Sequence, residues 1–146
     1  MSLNRIFDIA GSGMAAQSLR LNTTASNLAN ANSAASSDGE VYRAKKPIFA
    51  AVQQTQLDQM NMAISPEAQG SQGVQVRGIV ESQAPLDLRY EPDHPLADEQ
   101  GYVTYPNVNV VEEMTDMMSA SRSFQTNVDV MNAAKTMVQQ VLSLGQ

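Results

Sequence analysis

A chain of 146 residues with a net charge of −6 has room for one domain, or for a helical stem with a small insert. Its acidity excludes sequence-independent nucleic-acid binding, which needs a basic surface, and its lack of cysteine excludes disulfides and thiolate metal sites. No apolar run approaches the roughly 20 residues that span a bilayer, so we expect no membrane-spanning segment. The first residues lack the basic and apolar regions of a secretory signal, so we also expect no cleaved signal peptide.

Residues 1–32 predict one helix with an apolar residue at every seventh position. The repeat and its flanking positions consist of Leu3, Phe7, Ala10, Met14, Leu21 and Leu28. A seven-residue repeat places an apolar stripe on one face of a helix, and this stripe requires a partner helix. Because Gly11 and Gly13 each cost about 1 kcal/mol relative to alanine, packing must stabilise this helix.

Residues 33–107 predict a linker followed by a β-rich insert. The linker, residues 33–40, consists of small and polar residues. Short alternating or β-branched segments predict strands at 48–52, 74–76, 86–90 and 102–105. Turn residues separate them at 70–73 and 91–95. The weakly patterned stretch at about 53–73 predicts a loop that is either mobile or ordered only by contact.

Residues 108–146 predict a second long helix, which Asn107 or Asn109 can cap. Its apolar repeat and flanking positions consist of Val110, Met114, Met117, Phe124, Val128, Met131, Val138 and Leu142. Acidic residues in its first turns suit the helix dipole. A helix of about 35 residues is about 50 Å long, so it must project from a body of this size. We therefore expect the first helix and other subunits to cover its stripe.

Candidate chemistry is sparse, and the residues predict neither an enzyme nor a cofactor. His94 is the single histidine and has no second ligand at a metal-binding spacing, so it predicts a polar turn between Pro92 and Pro95. A basic cluster at residues 43–46 fits a solvated strand face, with contact to an acidic partner as the alternative. The asparagine-rich stretch 22–32 fits either a frayed helix end or a ladder of side-chain hydrogen bonds between packed subunits.

Two sequence motifs resemble those of a known family. Residues 25–32, Ala-Ser-Asn-Leu-Ala-Asn-Ala-Asn, resemble the N-terminal signature of bacterial flagellar axial proteins, the rod, hook and hook-associated subunits. Residues 107–128 resemble the C-terminal signature of proximal-rod subunits in that family, and residues 42–49 fit the same group. The positions that match the motifs are Asn27, Leu28, Asn30, Asn32, Asn107, Asn109, Glu112, Glu113 and Met114.

The resemblance implies a structural subunit of the proximal rod in the flagellar basal body. Such subunits assemble into a helical tube that transmits torque from motor to hook, and the flagellar type III export apparatus delivers them to the periplasm. The implied partners are other copies of the chain, other proximal and distal rod proteins, the basal-body adaptor protein and the ring components.

We expect a mainly α fold with a small β-rich insert, in which the terminal helices form an antiparallel coiled-coil stem. The apolar repeats at both ends would be the assembly seam. The alternative is a soluble coiled-coil scaffold or adaptor protein unrelated to flagella. Size in solution separates the two, because an adaptor forms a closed dimer or trimer whereas a rod subunit is monomeric or polymerises openly.

Overall fold

The computed structural model describes residues 3–35, 41–52 and 73–144. Within these ranges the elements are α1 (Leu3–Asn30), β1 (Lys45–Ala51), β2 (Val74–Glu81), β3 (Asp87–Tyr90), β4 (Tyr102–Tyr105) and α2 (Val110–Leu144). Strands β1 and β2 form one two-stranded sheet, and β3 and β4 form another. The predicted mainly α fold with a small β-rich insert is confirmed. Most of the predicted linker and the predicted loop lie outside the described residues.

Helix α1 runs without interruption because it contains no proline, and its own backbone satisfies two of its buried hydroxyls. Thr23 and Thr24 are buried, and their hydroxyls donate to the carbonyls of Leu19 at 2.9 Å and Arg20 at 2.8 Å. This back-bonding satisfies two hydroxyls that would otherwise be costly to bury. The helix ends at Asn30, whose carbonyl accepts hydrogen bonds from the backbone N–H and the hydroxyl of Ser33.

Helix α2 begins with a side-chain cap. The Oδ1 atom of Asn109 accepts hydrogen bonds from the backbone N–H groups of Val111 at 3.1 Å and Glu112 at 3.4 Å. Asn109 is one of the two residues that the sequence offered as a cap. No proline or glycine interrupts the 35 residues that follow, and neither helix is apolar enough over its described length to cross a membrane.

Strands β3 and β4 pair antiparallel, with Leu88 opposite Thr104 and Tyr90 opposite Tyr102. One face of this sheet is buried through Val103 and Tyr105. The predicted turn at 91–95 is present within the connection between the strands. That connection closes at Gly101, whose φ of +84° is a conformation that favours glycine.

The chain divides into two compact units, each with parts of both helices. The first unit comprises residues 1–18, 49–77 and 121–146, and the second comprises residues 19–48 and 78–120. In the first unit the most buried apolar side chains are small, namely Ala10, Ala16 and Ala134. The second unit buries Ala31, Val41, Ala44, Val103, Tyr105 and Ala120. Among their apolar residues, both helices therefore bury alanines most completely.

Candidate functional site

In the first unit, α1 and α2 approach closely at Gly13. A Cβ atom added at Gly13 would lie 2.9 Å from Nδ2 of Asn127, so the Asn127 side chain occupies the space that a larger residue would need. By contrast, a Cβ atom added at Gly11 would meet nothing within 4 Å. The two neighbouring glycines therefore have different roles, and only Gly13 lies at the contact between the helices.

The same unit also places α1 against the start of β2. The Ser12 hydroxyl donates to the Ile9 carbonyl at 2.9 Å and accepts from the Val74 backbone N–H at 3.1 Å. Gly73, with a φ of +128°, lies so close to the Ser12 hydroxyl that a Cβ atom there would overlap it. Glycine at this position permits both the backbone conformation and the contact with the helix.

In the second unit, an ion pair joins the helices. Nη2 of Arg20 lies 2.6 Å from Oδ1 of Asp116, and the two side chains are 28% and 35% exposed. A half-buried pair is screened less by solvent than a fully exposed one. Arg20 and Asp116 therefore fix one position along α1 relative to one position along α2.

Asn27 bonds to the first residue of β1 as a neighbouring strand would. Its Oδ1 atom accepts from the Lys45 backbone N–H at 2.9 Å, and its Nδ2 atom donates to the Lys45 carbonyl at 2.8 Å. The Tyr42 hydroxyl also donates to Oδ1 at 2.8 Å. Since Asn27 is only 1% exposed, these bonds replace those that water would otherwise make.

Asn107, which lies shortly before α2, bonds to Ala44, the residue that precedes Lys45. Its Oδ1 atom accepts from the Ala44 backbone N–H at 2.9 Å, and its Nδ2 atom donates to the Ala84 carbonyl at 2.9 Å. We call Asn27 and Asn107 together the asparagine clamp. The clamp joins α1, and the segment that leads into α2, to the start of β1, so both sequence motifs contribute to one structural site.

Sequence reasoning missed the clamp. Asn107 was considered as a helix cap, and Asn27 as part of a frayed end or of a ladder between subunits. The partners lie 18 residues from Asn27 and 63 residues from Asn107 along the chain, which no local pattern reveals. One signal for Asn27 was available in the sequence. This polar residue stands directly beside Leu28 of the predicted apolar stripe, close to the helix face that was expected to pack.

Charged groups surround the beginning of α2. Nζ of Lys46 lies 2.9 Å from Oε1 of Glu112. The hydrogen bond that Lys46 donates to Glu112 raises the pKa of Lys46 above its ordinary value; partial desolvation lowers that pKa, and the charges of Glu112, Glu113 and Asp116 raise it further. Glu113 itself is 4% exposed. The acidic first turn thus contacts β1 as well as complementing the helix dipole.

The predicted seam residues fall into three groups. Ala10 is buried. The half-buried members are Phe7, Met14, Leu21, Leu28, Met117, Phe124, Val128, Met131 and Val138. The exposed members are Val110, Met114 and Leu142, and the Leu3 side chain lies outside the described set. Most of these side chains therefore keep part of their apolar surface accessible in the single chain.

The remaining motif positions are mostly at the surface. The Asn30 amide donates to the Ser26 carbonyl at 2.8 Å, which is a bond within α1, and Asn32 is exposed.

In the basic cluster at residues 43–46, Nη1 of Arg43 donates to the carbonyls of Ser82 and Ala84, both at 3.4 Å. The cluster thus makes contacts within its own unit.

His94 takes part in a turn, as the sequence predicted. Its Nδ1 atom accepts from the Leu96 backbone N–H at 3.1 Å, and its own backbone N–H donates to the Glu91 carbonyl at 3.0 Å. Among residues 3–35, 41–52 and 73–144, no group of three acidic, histidine or cysteine side chains is arranged to hold a metal ion.

Two flagellar rod families match this chain. The family described as flagella basal body rod protein matches residues 7–34, and the family described as flagellar basal body rod FlgEFG protein C-terminal matches residues 99–144. The first match contains Asn27 and the second contains Asn107. Both residues of the asparagine clamp therefore lie within family-matched segments.

Individual relatives match from end to end. The flagellar basal-body rod protein FlgC of Salmonella typhimurium is 52% identical over 146 residues, and that of Escherichia coli O6:H1 is 53% identical, with complete coverage of both chains in each case. The FlgC protein of Borreliella burgdorferi is 36% identical over 100% of this chain and 99% of its own length. This full-length similarity shows that the chain belongs to the FlgC family of flagellar basal-body rod proteins.

Proposed function

We propose that this chain is built into the proximal part of the flagellar rod, where its copies join a helical tube that transmits torque from motor to hook. A structural role in the basal-body rod follows from the family. The observation that carries the proposal is the end-to-end match to proteins named as basal-body rod proteins. The half-buried apolar side chains on both helices add a physical reason for assembly, since they gain stability when neighbours cover them.

The terminal segments 1–32 and 108–146 form, in this proposal, an antiparallel coiled-coil stem, and residues 33–107 form the insert. The contact of Gly13 with Asn127 in the first unit and the ion pair of Arg20 with Asp116 in the second each support pairing of the two terminal helices. Each contact lies within its own compact unit.

The predicted seam would complete its packing only in the tube. Phe124 and Met131 are half-buried, whereas Met114 is 51% exposed and Leu142 is 67% exposed. Apolar side chains left this accessible favour further association, with about 25 cal/mol gained per Å² of apolar surface removed from water. The proposed seam therefore includes contacts within the chain and contacts between chains.

The proposed partners are other copies of this chain, other proximal and distal rod proteins, the basal-body adaptor protein and ring components. The proposed location is the periplasmic rod, reached through the flagellar type III export apparatus without a cleaved signal peptide. The proposed role is mechanical and requires neither catalysis nor a cofactor. Motility depends on it because an incomplete rod cannot connect motor and hook.

Phe124→Asp tests the proposed seam. An unpaired carboxylate is costly to bury, so the variant should fail to enter basal bodies while its β insert stays folded. Immunoblots of purified basal bodies measure incorporation, and circular dichroism of the free subunit checks the fold. Gln75→Asp, which adds the same charge at an exposed position of β2, is the matched control. Wild-type incorporation of Phe124→Asp would contradict the proposal.

A further inference from the structure

The sheet formed by β3 and β4 carries an exposed apolar and aromatic face. We call Leu88, Tyr90, Tyr102 and Thr104 the tyrosine face, because their pairing register places them on the same side of the sheet. Leu88 is 62% exposed, Tyr90 is 65% exposed and Tyr102 is 41% exposed. The two tyrosine rings meet edge to face, with centroids 5.4 Å apart. Such a cluster of large exposed side chains is typical of a binding surface.

The opposite side of the sheet holds the tyrosine face in place. Val103 is fully buried and Tyr105 is 8% exposed. The Arg89 guanidinium lies 4.5 Å from the centre of the Tyr105 ring and is paired with the Asp87 carboxylate at 2.9 Å. The exposed tyrosines therefore project from an anchored strand pair, which lowers the entropic cost of binding.

An acidic loop lies at the end of this face. Residues 91–101 join Tyr90 to Tyr102 and contain four acids, Glu91, Asp93, Asp98 and Glu99, but no lysine or arginine. None of these acids makes an ion pair in the part of the chain that the structure describes. Asp93 and Glu99 are exposed. The loop is thus a concentrated negative charge beside two accessible aromatic rings.

The acidic loop is also structurally defined. Oδ1 of Asp98 accepts from the backbone N–H groups of Gln100 and Tyr102, both at 2.8 Å. The Tyr105 hydroxyl donates to Oε2 of Glu91 at 3.1 Å. A Cβ atom added at Gly101 would lie 3.0 Å from the Tyr90 ring, so the loop packs directly against the exposed tyrosine. The negative charge consequently has a fixed place relative to the rings.

We propose that the tyrosine face and its acidic loop dock a basic segment of a different protein subunit. An arginine or lysine of that segment would stack on the rings of Tyr90 and Tyr102 and pair with Asp93 and Glu99. A second copy docked through the same face would bring two acidic loops together, which like-charge repulsion disfavours. The identification of the partner as a neighbouring basal-body component rests on the proposed function. The basic character of the docked segment rests on the tyrosine face and its acidic loop.

A photo-crosslinking amino acid at position 88 tests the occupant of the face. The full-length chain carrying this substitution replaces the wild type in cells, and basal bodies are purified, irradiated and digested for mass spectrometry. The expected product joins this chain to a lysine- or arginine-containing peptide of another protein. A product with a second copy of this chain, with an acidic or neutral peptide, or with no partner at all would overturn the inference.

Charge reversal tests whether the acidic loop attracts the docked basic segment. Glu99→Lys and Asp93→Lys should each lower the yield of that crosslink at least fivefold, whereas Asp8→Lys, a matched reversal at an exposed acid of α1 that makes no ion pair among the described residues, should leave it within twofold. Equal yields for all three would overturn the inference. If the chain is present in basal bodies but position 88 gives no such product, the docking inference fails and the proposed function stands. If the chain is absent from basal bodies, the proposed function fails.

Discussion

Asn27 and Asn107 accept hydrogen bonds from two successive backbone amides, those of Lys45 and Ala44, and both distances are 2.9 Å. The two asparagines lie 80 residues apart, one in α1 and the other just before α2. The Asn27 amide supplies to Lys45 the pair of hydrogen bonds that a further strand would supply, whereas Asn107 bonds to Ala44, whose carbonyl accepts from the Ser82 N–H. The family-matched segments at the two ends of the chain thus meet at a site that holds the β insert.

Asn27→Ala should destabilise the second unit, because the Lys45 backbone and the Tyr42 hydroxyl lose a buried partner. Leaving such groups unsatisfied costs about 1–3 kcal/mol. Urea denaturation followed by far-UV circular dichroism measures the free energy of unfolding. Asn32→Ala, at an exposed position, is the control and should change it by less than about 0.5 kcal/mol. Equal stabilities for the two variants would contradict the role given to Asn27.

Asn107 and Asn109 should respond differently to the same replacement by aspartate. Asn109→Asp keeps the oxygen that caps α2 and adds a negative charge that favours the helix dipole, so its stability should stay within about 0.5 kcal/mol of wild type. Asn107→Asp loses the Nδ2 donor and places a carboxylate near the Ala84 carbonyl, at a cost of about 1–3 kcal/mol. Chemical denaturation of the two variants measures both free energies of unfolding. A lower stability for Asn109→Asp than for Asn107→Asp would refute this expectation.

The Arg20–Asp116 ion pair should contribute modestly, because both side chains are about one-third exposed. A double-mutant cycle with Arg20→Ala and Asp116→Ala should give a coupling energy of about 0.5–1 kcal/mol. Raising the salt concentration to 1 M should reduce this coupling, since the Debye length falls to about 3 Å. A coupling near zero at low salt would show that the two side chains do not stabilise the helix pair.

The two glycines of α1 offer a matched pair of substitutions. Gly11→Ala should stabilise the chain by about 0.5–1 kcal/mol, because its Cβ atom meets open space and alanine favours the helix. Gly13→Ala should gain less or lose stability, because its Cβ atom displaces the Asn127 side chain. Adding Asn127→Ala should restore the gain at Gly13. Equal gains for the two single variants would contradict the close approach of the helices at Gly13.

Local patterns predicted the secondary structure well. The repeats and the missing prolines located both long helices, which the structure gives as Leu3–Asn30 and Val110–Leu144. Alternation located the strands, although β1 begins at Lys45, before the predicted start, and β2 continues to Glu81, past the predicted end. Strand ends depend on partners distant in sequence, and the backbone bond from Ser82 N–H to the Ala44 carbonyl shows one such partner.

The candidate site was harder to predict because its energetics depend on close approach and on buried polar bonds. A heptad pattern weights large apolar residues, whereas Ala10, Ala120 and Ala134 are among the most buried side chains of the helices. In the sequence Asn27 is only a weak helix former, and its role becomes visible only in its hydrogen bonds to the Lys45 backbone. The seam assigned to the large residues remains a prediction about the assembled tube.

If this chain is a necessary subunit of the rod, deletion of its gene must prevent rod assembly. Electron microscopy of basal bodies purified from the deletion strain measures whether a rod forms. We expect basal bodies without a complete rod or hook, non-motile cells, and recovery of both rod and swimming when the wild-type chain is restored. Complete rods in the deletion strain would contradict it.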